Sequence, residues 1–161
     1  MPLGLVVSDG ADPVSGCPRF ENSSNGDGPP LGRELEIAEL LRFVKAHGIQ
    51  RLVWFTADVH YCAAHYYSPA AARFREFEPF WEFVAGPLHA GAFGANALDD
   101  TFGPAVMFQK APAAGQMNQP PSRGFQSFGQ VDIDHRTKDM RVSLRDTSGV
   151  ELFSQRLKAR P

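Results

Sequence analysis

Residues 34–60 read Glu34-Leu35-Glu36-Ile37-Ala38-Glu39-Leu40-Leu41-Arg42-Phe43-Val44-Lys45-Ala46-His47-Gly48-Ile49-Gln50-Arg51-Leu52-Val53-Trp54-Phe55-Thr56-Ala57-Asp58-Val59-His60, and this run decides the fold class. Ile37, Leu40, Leu41 and Val44 fall at i, i+3, i+4 and i+7, which predicts a helix with one apolar stripe. Glu34, Glu36 and Glu39 crowd its first half and Arg42, Lys45 and His47 its last, a distribution that complements the helix dipole. Gly48 is placed to end the helix. Leu52-Val53-Trp54-Phe55 follows as a continuous apolar strand. Helix, tight turn and buried strand make half of a βαβ unit, so the class is α/β.

Working outward, Leu3–Val7 reads as a second short apolar strand, of the kind covered on both faces in a parallel sheet. Residues 9–31 are rich in Gly, Pro, Ser, Asn and Asp and read as a loop long enough to suggest a functional rim or an insertion. Residues 61–127 hold much of the chain's phenylalanine and show few clean periods. They read as an irregular, aromatic-rich connection, its Phe74, Phe77, Phe80, Trp81 and Phe83 cluster serving as core. Polar and apolar residues alternate around Val131, Ile133, Met140, Val142 and Leu144, with turns at 134–139 and 147–149. This predicts a terminal antiparallel meander over residues 128–157.

The chain has 161 residues, one domain's worth, with 43% hydrophobic and 21% charged side chains, as in globular proteins. Sixteen Lys and Arg against 18 Asp and Glu give a net charge of −2, and no basic face points to a nucleic-acid partner. No apolar run approaches the roughly 20 residues of a membrane helix, and the start has no signal-peptide pattern. The compartment stays open. Cys17 and Cys62 have no zinc-type spacing and read as two free thiols.

Ligands of open α/β sheets bind beyond the carboxyl ends of the strands, which is where Asp58 and His60 fall. One residue apart on an extended stretch, they would point to the same side, where a carboxylate and an imidazole can hold a metal. The alternative is that Asp58 caps a turn and His60 is a hydrogen-bonded core histidine. His65 and Tyr61 follow closely; Tyr61 reads as a packing or hydrogen-bonding residue rather than a phenolate ligand. His89 lies in a glycine-flanked loop that suits either ligand approach or a tight turn. Arg33 reads as a capping or ion-pair residue ahead of a phosphate contact, and His47 and His135 as solvated surface.

The strings Leu31-Gly32-Arg33-Glu34-Leu35-Glu36-Ile37-Ala38 and Val53-Trp54-Phe55-Thr56-Ala57-Asp58-Val59-His60-Tyr61 resemble PhoD-type alkaline phosphatases. So do Ala63-Ala64-His65-Tyr66-Tyr67, Pro79-Phe80-Trp81-Glu82-Phe83-Val84 and Gly86-Pro87-Leu88-His89-Ala90-Gly91. Thr101-Phe102-Gly103-Pro104 and Phe108-Gln109-Lys110-Ala111-Pro112 extend the resemblance along essentially the whole chain.

The resemblance implies the four-layer fold of calcineurin-like metallophosphoesterases, two stacked sheets flanked by helices. It also implies metal-dependent hydrolysis of phosphate mono- and diesters with iron and calcium or other divalent ions. Asp58 and His60 would be metal ligands of the last metal-binding block, where most relatives carry two histidines. His65 reads as the candidate catalytic group near the phosphoryl oxygen or leaving group, the alternative being that it faces the aromatic packing.

The family's upstream Asp and Asn ligand blocks are not among these residues, and Asp9 and Asp27 stand outside any such context. The expectation is therefore the C-terminal portion of a longer enzyme, spanning residues 1–161. The alternatives are a catalytically inactive fragment, or an interaction module that self-associates through unpaired sheet edges and is marginally stable alone.

Overall fold

The computed structural model describes residues 1–159, which form eleven short strands and one long helix. The strands are β1 (Leu5–Val6), β2 (Ser8–Ala11), β3 (Pro18–Phe20), β4 (Val53–Thr56), β5 (Cys62–Tyr67) and β6 (Phe80–Val84). They continue with β7 (Ala97–Leu98), β8 (Pro104–Lys110), β9 (Ser127–Ile133), β10 (Met140–Asp146) and β11 (Glu151–Leu157). The helix, α1, spans Glu34–Ala46. The class is broadly α/β, with strands in several small sheets. The largest sheet has the order β4-β6-β5-β8, and β9, β10 and β11 form a separate antiparallel sheet in the order β11-β10-β9.

The helix forms where the spacing predicts it, but its buried stripe is rotated. Glu34, Ala38, Leu41 and Val44 are the buried positions, whereas Leu40 is 43% exposed. The cause is Glu34, whose side chain turns inward to accept the Leu31 N–H at 3.0 Å and the Asn25 N–H at 2.9 Å. Burial pushes the Glu34 carboxyl above its usual range, with Asp99 adding to the rise, against the lowering effect of these two N–H donors. Gly48 ends the helix at φ 64°, its N–H donating to the Lys45 carbonyl and that of Ile49 to the Val44 carbonyl.

Three expectations need correction. Leu3–Val7 is not a five-residue strand in a parallel sheet; only Leu5–Val6 pairs, and it pairs antiparallel with Ala97–Leu98. Side chains take the neighbouring backbone donors: Leu3 N–H donates to Glu82 Oε1 at 2.8 Å and Gly4 N–H to the Tyr67 hydroxyl at 2.9 Å. The loop expected over residues 9–31 contains an antiparallel hairpin of β2 and β3. The irregular connection expected over residues 61–127 holds β5, β6, β7 and β8. Its strands escape notice because β5 is Cys62-Ala63-Ala64-His65-Tyr66-Tyr67, short on β-branched residues and almost wholly buried, so it shows no alternation.

The chain divides into two compact units. One comprises residues 1–54, 65–82 and 96–106, and its core is Leu3, Ala38, Leu41, Tyr67, Ala72, Phe74, Phe77, Phe80 and Phe102. The aromatics make specific pairs: Tyr67 stacks on Phe80 at 4.5 Å between centroids, and Phe74 meets Phe102 edge-on at 5.9 Å. Arg42 lies 4.8 Å above the Phe74 ring and pairs with Glu76, so the helix surface is tied to this core as well.

The other unit comprises residues 55–64, 83–95 and 107–161. Val142 and Leu144 are buried on β10, and Phe108 stacks on Phe153 at 5.4 Å. No helix among the described residues is long and apolar enough to cross a membrane.

Cys17 and Cys62 are free thiols, Cys17 exposed and Cys62 buried. Burial raises the Cys62 thiol above its usual range, against the lowering effects of a Ser127 hydrogen bond and nearby Lys110. Iodoacetamide at pH 8 is therefore expected to alkylate one thiol per folded chain, at Cys17, and both in urea. Equal labelling of the two under native conditions, read by peptide mass spectrometry, would contradict the buried placement of β5.

Candidate metal centre

Strand β4 delivers the chain to Thr56, and Ala57 and Asp58 lie just beyond its end. Asp58 has φ 82°, in the left-handed region that non-glycine residues enter at a cost of about 1–3 kcal/mol. The stretch is therefore not extended as the sequence suggests, because the backbone leaves the extended conformation at Asp58. What the turn does is leave the Asp58 carboxylate exposed while Val59 is buried behind it at 8% exposure. Aspartate suits this place better than most residues, since its short side chain tolerates left-handed backbone.

His60, half-buried, is held by three contacts from the loop that follows β6. Its Nδ1–H donates to the Gly91 carbonyl at 2.6 Å. Its own carbonyl accepts the Phe93 N–H at 2.9 Å. The Phe93 ring meets the imidazole edge-on, 4.8 Å between centroids with 73° between planes. A carbonyl can only accept, so Nδ1 carries a proton, and in the neutral ring it is Nε2 that keeps the lone pair. This is the arrangement common to metal-ligating histidines, whose second nitrogen is occupied by a carbonyl or carboxylate.

The loop is itself fixed. Gly86 has φ 76°, and an added Cβ would come within 2.5 Å of Ser127 Oγ and 3.1 Å of the Cys62 nitrogen, so glycine is required there. Ser127 donates its hydroxyl to the Ala85 carbonyl at 2.6 Å and its N–H to the Pro87 carbonyl at 3.0 Å. Gln126 Nε2 donates to the Ala90 carbonyl at 3.0 Å. Ala92 and Gln119 exchange two backbone hydrogen bonds of 2.8 Å. His89, at the loop's tip, is exposed, and Tyr61 is buried at 1% exposure in keeping with a packing role.

His65 has a different setting. It lies on β5 at 0% exposure, with Nδ1 3.0 Å from Glu82 Oε2 and Nε2 buried without a hydrogen-bond partner. Tyr67 donates its hydroxyl to the same Glu82 oxygen at 2.7 Å. The group expected to face the substrate is thus enclosed in a buried polar network. Arg33 donates to the carbonyls of Phe20 and Glu21, a structural tie rather than a phosphate contact.

A cluster that the sequence reading passed over is Asp27, Asp99 and Asp100, whose carboxylate oxygens lie within 4.8 Å of one another. Their oxygens already have occupations. Asp99 accepts the Ser24 hydroxyl at 2.9 Å and the Thr101 N–H at 2.7 Å, and Asp27 accepts the Asp100 N–H at 2.8 Å. Asp100 accepts the Gly28 N–H and pairs with Arg73, both at 2.8 Å, and Arg73 holds its carboxyl below the usual range. These contacts tie residues 24–28 to residues 99–101, with a guanidinium already compensating part of the charge.

As donors, a carboxylate and a neutral imidazole with Nε2 available fit a hard or borderline metal ion. Among the described residues, neither Asp58 nor His60 belongs to a group of three such donors close enough to share an ion. A family model for PhoD-like phosphatases matches residues 2–144. The chain belongs to the PhoD-like phosphatase family. That family implies phosphoester hydrolysis and is generally metal-dependent. Within a PhoD-like protein, the Asp58–His60 turn follows the end of β4, which is not the buried strand expected from its apolar sequence: Val53, Trp54 and Thr56 are half-buried and Phe55 is 54% exposed. No curated protein and no solved structure matches the chain.

Proposed function

We propose that this PhoD-like chain supplies the Asp58–His60 ligand block of a metal-dependent phosphate mono- or diester hydrolase. The observation that carries the reading is the His60 hydrogen bond: Nδ1–H to the Gly91 carbonyl at 2.6 Å leaves Nε2 as the free basic nitrogen. Asp58 would add an exposed carboxylate, held in a left-handed turn whose strain is the kind found at functional positions. A bound cation there would polarise phosphoryl oxygens and lower the pKa of a coordinated water.

The chain's own part is to fix the imidazole orientation, present the carboxylate, and keep the turn anchored by buried Val59 and Tyr61. Two donors make only part of a coordination sphere, so the remaining ligands would come from other residues of a longer enzyme. Iron and calcium are the ions that the family resemblance favours. His65, enclosed with Glu82, would act through the packing of β5 rather than on substrate.

The test is hydrolysis of p-nitrophenyl phosphate and bis(p-nitrophenyl) phosphate with iron, calcium or manganese, using the gene product as cells make it. Replacing Asp58 or His60 by Ala should lower kcat/KM by more than the roughly 10–100-fold typical of residues that merely support a ligand. Both variants should stay folded, with no more than the modest fall in unfolding midpoint that alanine at φ 82° or a lost His60 hydrogen bond brings. Full activity in either variant would refute the assignment. The isolated 161 residues should turn over no faster than their Asp58→Ala control.

A further inference from the structure

The Gly91 carbonyl is a fixed acceptor for His60, and its position depends on residues far away in sequence. Gly91 does not need glycine for its backbone angles, since its φ is not in the left-handed region. It needs glycine for space: an added Cβ would overlap Asn118 Oδ1 and lie 3.0 Å from Asn118 Cγ and 3.1 Å from Asn118 Cα. Asn118 is in turn held in place. It sits at φ 50°, and the adjoining Gln119 is bound to Ala92 by two backbone hydrogen bonds of 2.8 Å. On the other side of Ala92, Phe93 donates its N–H to the His60 carbonyl, and Gly94 donates to the Gln116 carbonyl, both at 2.9 Å. The 91–94 segment is therefore gripped between His60 and residues 116–119.

We infer that Gly91, whose missing side chain lets it pack against Asn118, is a positioning residue that sets the tautomer and the ring orientation of His60, and so decides which imidazole nitrogen faces a metal. The inference rests on the proposed metal-ligand role of His60 for its use, but its geometry can be read without metal. An unconstrained neutral imidazole prefers the proton on Nε2. The Gly91 carbonyl reverses that preference by accepting from Nδ1. The Gly91–Asn118 contact leaves the carbonyl no room to drift, because moving either residue breaks the Ala92–Gln119 pair.

The test is the long-range ¹H–¹⁵N spectrum of the metal-free chain at a pH where His60 is neutral. In the wild-type chain, the His60 Nδ1 should show the protonated shift and Nε2 the unprotonated one. Gly91→Ala should move the population toward the Nε2–H form, as the new methyl displaces the carbonyl against Asn118. Gly91→Ala combined with Asn118→Gly, which removes the opposing side chain and tolerates φ 50°, should restore the Nδ1–H form. A merely structural loss of packing would not move a tautomer and then return it.

A wild-type spectrum with the proton on Nε2 overturns the inference, and it needs no variant. A folded Gly91→Ala chain with an unchanged tautomer also overturns it. If the Nδ1–H form is found but manganese leaves His60 unaffected, the metal reading fails and the positioning geometry stands, so the two failures are distinguishable.

Discussion

Replacing Glu82 by Ala is expected to destabilise the protein by about 3–5 kcal/mol, comparable to removing one partner of a buried ion pair. Glu82 is 0% exposed, and its carboxylate accepts from three donors: Leu3 N–H at 2.8 Å, the Tyr67 hydroxyl at 2.7 Å and His65 Nδ1 at 3.0 Å. Leu3, Tyr67 and His65 are all at most 3% exposed, so water cannot replace the lost acceptor cheaply. Each buried donor left unsatisfied costs about 1–3 kcal/mol, and the vacated volume adds to this.

The network also reaches the start of the chain, because Tyr67 accepts the Gly4 N–H at 2.9 Å while donating to Glu82. Losing Glu82 should thus loosen residues 3–6 along with β5. Glu82→Gln keeps one acceptor oxygen and should cost roughly half as much, since the Tyr67 hydroxyl can turn to accept from the new amide. Urea unfolding, with the slope m held constant, measures both. A Glu82→Ala loss under about 1 kcal/mol would mean that the network does not hold this unit together.

The elements legible in the sequence are those whose burial is one-sided or whose ends carry signals. Helix α1 has a 3.6-residue stripe and Gly48 at its end, and β9, β10 and β11 have turn residues at 134–139 and 147–149. Even there, the inward turn of Glu34 shifted the stripe, because a glutamate in a first turn looks the same whether it faces solvent or caps the preceding loop. β5 and β6 were illegible for the opposite reason: strands covered on both faces lose the alternation that identifies them, and Ala63, Ala64 and Glu82 argue against a strand by composition.

For the candidate centre, the Asp58–His60 pair could be picked out locally, but nothing local announced the φ of 82° at Asp58. The Gly91 carbonyl lies 31 residues beyond His60, and a backbone acceptor leaves no side-chain signature. The Asp27, Asp99 and Asp100 cluster joins residues more than 70 positions apart. The glycine at position 91, among five other glycines and alanines in residues 85–94, was the one faint hint of a close approach.

The second large effect concerns the metal itself. Among the described residues, two acidic places offer carboxylates to an added divalent ion, and they differ in what their oxygens are doing. Asp58 is exposed two residues before His60, whose Nδ1 is taken by the Gly91 carbonyl, whereas Asp27, Asp99 and Asp100 are engaged with backbone donors, Ser24 and Arg73. Charge counting alone would favour the three carboxylates, and donor availability favours Asp58 and His60.

Titration of the isotope-labelled chain with sub-stoichiometric Mn²⁺, followed by paramagnetic line broadening, decides between them. The account predicts that resonances of Asp58, Val59 and the His60 ring broaden first, and that Asp58→Ala and His60→Ala each abolish this while the spectrum stays folded. Broadening that begins at Asp27, Asp99 and Asp100, with residues 58–60 left sharp, would contradict it.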